Sequence, residues 1–485
     1  MAEEKTYLEL SEDQGSSHKF YEVTVDGPKV TIRYGRIGTD GKADVKTYPS
    51  PEKAKADADK KIKEKLRKGY EQAVMGVRKK RSITRRDTLL AAPSGAAAKK
   101  ALAKHTAPVL WKFYSGAAAL GIFIDKNHCW VGNQQGSVFC LDHNCNVLNQ
   151  YRLPDGVKCI ISDGVWLYAG CDNGNVYDLT GKLPRVGYEI SEDVDIYWID
   201  INDALLAVSD AGGTVMIANH EDEQLWKRKS KGQQGWMVRC DREKVYHGHS
   251  LGVTAYCGWE DPREVWDYRT TGSVFFGWQE KDTVYAGTTG NKIFAINKET
   301  GNEEKIYSCD ATVFSCSAAE DGKYVFAGDN YGSIYCFDKE GTRLWKLATG
   351  CGAAYSMQYF NEHVYIVTTD GSLACIDATD EAIKGAQSGV VPQSRSITAP
   401  KPVEVSDTRQ MERVTSAGDG VIVKCLREGG KLRVRVLSQG YHSDWNVQFP
   451  RDIREEGASY VVDQIIESSG GGFYRAYGDI KKLER

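Results

Sequence analysis

The sequence predicts a mainly β protein: a seven-bladed β-propeller, preceded by a small α+β domain and followed by a small β-rich domain. Three observations carry that prediction. A strand–turn–strand unit recurs seven times at nearly constant spacing. Turn and strand formers are abundant, with 49 Gly, 26 Tyr and 11 Trp among 485 residues, which suits many short strands better than long helices. The Ala/Lys/Glu-rich helical stretch comes before the repeats begin, so helix and repeat belong to separate regions. At 41% apolar and 27% charged residues the chain has the balance of a folded globular protein.

Charge is unevenly spread. Residues 1–108 hold 24 Lys plus Arg against 15 Asp plus Glu, a net +9, whereas the remainder holds 39 against 51, a net −12. A basic head ahead of an acidic body points to an anionic partner for the head. The N-terminus shows no basic region followed by an apolar run, and no stretch of about eighteen apolar residues occurs anywhere, so neither export nor a membrane span is expected. The cytoplasm is the expected compartment, or the nucleus if the cell is eukaryotic. The 13 Cys are odd in number and lack a Cys-x-x-Cys pair, the pattern of buried reduced thiols rather than of disulfides or a zinc site.

The first domain spans residues 4–76. Lys19 to Val25 and Val30 to Tyr34 alternate as strands across the turn Asp26-Gly27-Pro28-Lys29, and Asp44 to Tyr48 reads as a third strand. Ser50 then stands as an N-cap with Pro51 at the first helical position, and the run to Arg67 is a helix stopped by Gly69. The bend between the last two strands, Tyr34-Gly35-Arg36-Ile37-Gly38-Thr39-Asp40-Gly41, together with the helix end Lys65-Leu66-Arg67-Lys68-Gly69-Tyr70, resembles the WGR domain. The resemblance covers residues 5–75. It implies that the position of the signature Trp, occupied here by Tyr34, stacks on a terminal base, and that Arg36 and neighbouring basic residues engage the nucleic-acid backbone. A Tyr keeps a π-face for stacking, worth roughly 1–3 kcal/mol per base. No ADP-ribosyltransferase domain follows, so that activity is not carried over.

Residues 77–108 form a basic linker. From Arg78 to Arg86 six of nine positions are Lys or Arg, and the Ala-rich stretch beyond is low in complexity. Lys79, Lys80, Arg81, Arg85 and Arg86 are the candidates for phosphate contact by counterion release, beside Tyr34 and Arg36.

The repeats occupy residues 109–378. Aligned on the turn glycine they give Gly136, Gly174, Gly213, Gly252, Gly290, Gly332 and Gly371, separated by 38, 39, 39, 38, 42 and 39 residues, one four-stranded blade per repeat. An acid or amide closes the following strand at Asp142, Asp178, Asn297, Asp338 and Asp377, where it is expected to cap the next turn. Leu-Trp-Lys recurs after the third and sixth turns, around Trp226 and Trp345, and again around Trp111 ahead of the first. The strand at Trp111 is therefore expected to complete the last blade and close the ring. The repeat, with Ala-Gly before the turn and Asp, Thr-Gly and Trp after it, resembles the PQQ-like (quinoprotein) repeat more than WD40. With seven repeats and no export segment, no quinone cofactor is expected. His247 and His249 read as hydrogen-bonding turn residues rather than metal ligands, and no metal is expected. Trp236, Trp259, Trp266 and Trp278 read as packing between blades.

Residues 379–402 read as a second linker and residues 403–485 as a small β-rich domain. Its strands are 421–426, 431–437 and 460–466; residues 444–454 read as a loop, and Gly470 to Gly472 as a turn rather than a nucleotide loop, since no helix follows. Cys425, His442 and Asp444 form no assignable catalytic set.

The resulting reading is a non-enzymatic scaffold or sensor. Its first 108 residues engage DNA or RNA, and the propeller loops recruit a protein partner. The alternative is a protein-only adaptor; a third reading places enzymatic chemistry in the C-terminal domain.

Overall fold

The computed structural model describes residues 4–11, 18–36, 42–73, 83–85, 103–190, 195–401, 404 and 410–484. They fall into two compact units, Met1–Ile83 with Glu192–Asp195, and Thr84–Ser191 with Ile196–Arg485.

In the first unit five antiparallel strands, β1 (Glu4–Ser11), β2 (His18–Asp26), β3 (Lys29–Arg36), β4 (Lys42–Thr47) and β5 (Glu71–Gln72), form a sheet of order β4-β3-β2-β1-β5. Helix α1 (Pro51–Arg67) covers one face. It starts where the sequence says it should: the Ser50 hydroxyl accepts a hydrogen bond from the Lys53 N–H, and Pro51 fills the first turn, where its missing N–H costs nothing. It ends at Gly69, whose φ of +87° lets the Tyr70 N–H turn back to the Lys65 carbonyl. Ala54 and Ala58 bring the helix close onto Leu8, Val23, Val30 and Ile32. A bulky residue at Ala58 would push the two layers apart at a cost of roughly 1–3 kcal/mol. Strand β1, which pairs antiparallel with β2, went unread in the sequence.

In the second unit six four-stranded antiparallel sheets follow one another, and a seventh blade closes the ring. Ala354–Phe360, His363–Thr368 and Ser372–Asp377 supply three of its strands, and Val109–Tyr114 pairs antiparallel with the last of them, Cys375 opposite Trp111. Ring closure from the far end of the repeats is thus as expected, and it leaves no open edge between first and last blades. Trp111, Trp226 and Trp345 are all buried. The strand-closing acids cap their turns: Asp142 accepts from the Asn144 and Asn146 N–H groups, Asp338 from Thr342 and Asp377 from Thr379. In the fifth blade the left-handed turn residue is Asn291 (φ +60°) rather than Gly290. At Gly332 (φ +79°) a Cβ would stand 2.8 Å from the Cys351 carbonyl, so both conformation and space require glycine.

Two elements sit where a linker was expected. Helix α2 (Asp380–Gln387) is capped by the Thr379 hydroxyl, carries Asp380 and Glu381 in its first turn, and buries Ile383 and Ala386. Arg395–Thr398 then adds a parallel fifth strand outside Val109–Tyr114. Such pairing depends on an edge formed by residues almost 300 positions earlier, which local sequence does not reveal.

Beyond residue 410 a six-stranded sheet contains the three expected strands, as Val421–Glu428, Lys431–Val436 and Ser459–Glu467. It also contains Phe473–Leu483 and the short Asn446–Gln448, where a loop was expected. The glycines at 471 and 472 turn the chain into Phe473–Leu483 with positive φ, as a tight bend requires. This sheet packs on the second and third blades through a buried cluster. Arg475 is 2% exposed; its guanidinium lies 2.6 Å from Asp163 and 3.6 Å from the Trp166 ring, and donates to the Tyr168 hydroxyl and to Gln448. Among the described residues no helix is long and apolar enough to cross a membrane.

Candidate nucleic-acid interface

The head sheet extends past the end of α1, and that uncovered margin is the site. Val30 and Ile32 face the helix, so period-two alternation puts Tyr34 on the same face, beyond the helix's cover. Tyr34 is 39% exposed. The register Tyr34 opposite Lys42, Ile32 opposite Asp44 and Val30 opposite Lys46 places those three β4 side chains on that face as well. From the other side the last two turns of α1 contribute Lys61 and Lys65, four residues apart and so on one helix face. The groove between them has a volume of about 410 Å³.

Its walls alternate cation and ring. The Lys65 ammonium lies 4.5 Å from the centre of the Tyr21 ring and 5.1 Å from Tyr70, and Lys46 lies 4.8 Å over Tyr48. Tyr34 and Tyr21 are 6.5 Å apart, tilted by 31°. The Tyr48 hydroxyl donates to Asp57, which fixes the ring at the groove's edge. Partial burial, followed by neighbouring Lys68, pushes Lys65 below its usual range. An anion beside it would reverse that.

Of the residues singled out from sequence, Tyr34 lies in this groove. Arg36 ends β3, its backbone opposite Lys19. Lys79, Lys80, Arg81 and Arg86 lie outside the described residues. Arg85 sits in the second unit, where its guanidinium grips Asp172: Nη1 donates to Oδ1 at 3.1 Å and Nη2 to Oδ2. The structure therefore brings Tyr34 together with Lys46, Lys61 and Lys65, and places Arg85 elsewhere. The three lysines went unselected although a signal existed, the i, i+4 spacing on α1 and the period of two on β4.

The propeller holds a second concentration of rings and cations. Leu120, Lys158, Tyr197, Trp236, Phe275, Phe314 and Tyr355 each come from one blade, six of them the second residue of its innermost strand and Trp236 the residue just ahead of that strand. Five of the seven rings and chains stack in sequence: Tyr197 on Trp236 at 3.6 Å, then Trp236, Phe275, Phe314 and Tyr355 at 5.9–6.2 Å. Trp236, buried between Tyr197 of the third blade and Phe275 of the fifth, thus packs between blades as expected, and does so at the innermost strands. His249 accepts from the Leu251 N–H and pairs with the Thr254 hydroxyl, as a turn histidine should. His247 differs: it is fully buried in a strand, neither ring nitrogen has a hydrogen-bond partner among the described residues, and burial pushes its pKa down to about 3. No group of three or more His, Cys, Asp or Glu among the described residues could hold a metal ion. Cys425 is buried in the core of the C-terminal sheet, and His442 stacks on Trp445 at 4.3 Å.

An antiparallel sheet with one crossing helix, a basic aromatic margin and a ring of seven blades define the class: a β-propeller protein carrying a small sheet-and-helix module in front. Residues 4–77 match the family model of the WGR domain, and the module is a WGR domain. Residues 304–450 match the model described as outer membrane protein assembly factor BamB, a PQQ-type repeat model, from the outer strand of the fifth blade into the C-terminal sheet. The repeats are PQQ-like. Two solved structures are similar to part of the chain. The WD40 β-propeller domain of Doa1 is 12% identical and covers 58% of this chain and 99% of its own, with a TM-score of 0.49. The computationally designed Ika8 protein is 14% identical and covers 55% and 98%, with a TM-score of 0.45. No curated protein matches the chain.

Proposed function

We propose that the protein is a non-enzymatic scaffold or sensor whose WGR head binds nucleic acid, at strand ends or similarly phosphate-rich sites, while the propeller loops recruit a protein partner. The observation that carries this reading is the half-exposed Tyr34 in a groove rimmed by Lys46, Lys61 and Lys65. A solvent-exposed ring offers a base a stacking surface, and the lysines stand where the backbone of that nucleotide would run. Asp44, in the same groove, disfavours a phosphate on the β4 side and so biases the backbone toward the helix.

Binding of the full chain to a fluorescent single-stranded or blunt-ended oligonucleotide, measured across salt, tests the reading. Three lysine–phosphate contacts on duplex predict roughly a 40-fold loss of affinity between 50 and 200 mM salt. Tyr34→Ala should weaken binding roughly 5- to 150-fold, the range that 1–3 kcal/mol of stacking corresponds to. Equal affinity of Tyr34→Ala and the parent, or no binding at low salt, would sink the proposal.

A further inference from the structure

Arg85 belongs to the basic linker, yet its side chain is only 13% exposed, and the carboxylate it meets is 1% exposed. That carboxylate is built into the propeller. The Asp172 N–H donates to the Gly156 carbonyl at 2.8 Å, and a Cβ on Gly156 would stand 2.4 Å from Asp172 Oδ2 and 2.7 Å from the Gln134 carbonyl. Only a glycine at 156 leaves room for the aspartate side chain. Lys158, the one charged member of the channel ring, is 4% exposed. It donates to the Ile196 carbonyl at 2.6 Å, lies 3.4 Å from Asp172 Oδ1, and sits 5.6 Å over the Tyr197 ring. Burial alone would raise the Asp172 pKa, but Lys158 and Arg85 overcome it and hold the carboxyl below its usual range.

Such an arrangement selects arginine. A planar guanidinium places one N–H on each carboxylate oxygen, a fork that an ammonium cannot form. Arg85 also helps to line a cavity of about 10 Å³ with Leu120, Lys158, Tyr197 and Trp236, so little open space is left on that side of it. The aspartate already has Lys158 beside it, so closing the ring does not require Arg85. We infer that Asp172, beside Lys158 at the channel mouth, is a receptor for one arginine of a basic peptide, and that Arg85 fills it in cis as an internal competitor to an arginine-bearing protein partner. A tethered competitor acts at an effective concentration in the millimolar range, so a partner segment is held off until it outbids that value or the linker is drawn away. The inference stands whether or not the head binds nucleic acid.

The test uses the full chain and, as probe, a fluorescent synthetic peptide of residues 78–90, with a second peptide carrying Arg85→Ala. Arg85→Ala in the protein empties the seat and should tighten binding of the parent peptide at least tenfold over the unsubstituted chain. The substituted peptide should bind the same variant at least tenfold more weakly than the parent peptide. Asp172→Asn combined with Arg85→Ala should lose the gain. If that double variant does not fold, the peptide comparison on Arg85→Ala asks the same question with the receptor intact. Equal binding of the two peptides to Arg85→Ala, or no gain over the unsubstituted chain, overturns the inference.

Discussion

The head groove and the channel mouth use the same parts to opposite ends. In each, a lysine lies over a tyrosine ring: Lys65 at 4.5 Å from Tyr21, Lys158 at 5.6 Å from Tyr197. The groove encloses about 410 Å³ of open space, whereas the space at the mouth is about 10 Å³. Water decides what the pair means. In the groove a cation beside a ring is solvated and free to exchange water for a phosphate and a base, at little cost to the fold. At the mouth the ammonium has been taken out of water, and a carboxylate and a carbonyl replace the contacts it has lost. Basic and aromatic residues in sequence mark either situation, and only burial tells a binding surface from a seat already taken.

The sharpest way to break this contrast is to remove the acid from each place. Asp172→Ala strips the carboxylate from between buried Lys158 and Arg85, and removal of one partner from a buried ion pair costs roughly 3–5 kcal/mol. Asp44→Ala, on the wet rim of the groove, should stay within about 0.5 kcal/mol. Urea unfolding suits the comparison, followed by tryptophan fluorescence for Asp172→Ala, since Trp236 is stacked at 3.6 Å on Tyr197 beside the mouth, and by tyrosine fluorescence of the isolated residues 1–83 for Asp44→Ala, since no Trp precedes Trp111. A shift below about 1 kcal/mol for Asp172→Ala would mean that the mouth is hydrated like the groove.

How much of this was legible follows from the range over which each feature is determined. The blades could be read because their determinants are local: a turn glycine such as Gly332, the acid Asp338 closing the next strand, and the interval between copies. Helix α1 could be read because Ser50-Pro51 and Gly69 mark its ends within the segment itself. Tyr34 could be found from its motif, whereas its lysine neighbours carry a signal only within each element, the i, i+4 pair on α1 and the alternation on β4, and nothing local says that the two elements meet. The strand Arg395–Thr398 was hidden for the same reason, whereas helix α2 carried local signals in the Thr379 cap and the acids Asp380 and Glu381 that follow it. The channel ring is a different case. Leu120, Lys158, Tyr197, Trp236, Phe275, Phe314 and Tyr355 are separated by 38, 39, 39, 39, 39 and 41 residues, the same period as the turns. It passed unread because attention to glycine does not reveal a position whose side chains differ in every copy. The seating of Arg85 on Asp172 spans 87 positions and leaves no local trace.

Within the propeller, His247 is a buried base with no acid beside it among the described residues. Lys158 has Asp172; His247, fully buried with both ring nitrogens unpartnered among the described residues, has a folded-state pKa of about 3 against an ordinary 6.5. The unfolded chain takes up a proton that the folded protein refuses, so the stability linked to His247 is full above pH 6.5 and is lost as the pH falls toward 3. His247→Leu removes that loss. Relative to the parent, the variant should gain roughly 2–3 kcal/mol between pH 7 and pH 4.5. Asp178, Asp222 and Asp452, held up to about 6 by burial, act in the opposite sense over the same window. They are common to both proteins and cancel in the difference, which is the quantity to measure by urea unfolding at each pH. A constant difference across that range would mean that His247 is charged or hydrated in the folded state.

The smallest effect concerns Lys65 and asks what kind of surface the groove is. Burial and the nearness of Lys68 disfavour its charge in the free protein, so a bound phosphate would both neutralise it and restore its affinity for its proton. Lys65→Gln keeps the length of the stem over Tyr21 and removes only the charge. The fold should be little affected, since Gln keeps the stem's packing and, among the described residues, the half-buried Lys65 makes no ion pair that holds α1 to the sheet, so the change should stay within about 1 kcal/mol. The slope of log affinity against log salt for a duplex should become shallower by about 0.9, one phosphate's worth, whatever the sequence of the probe. Tyr34→Ala should do the reverse, lowering affinity at every salt concentration with the slope retained, because stacking releases no counterions. If Lys65→Gln lowers affinity without changing the slope, the lysine acts by holding the Tyr21 ring and the groove is an aromatic surface. If the slope falls, the groove tracks a phosphate backbone and differs from the channel mouth in the partner it exchanges for water.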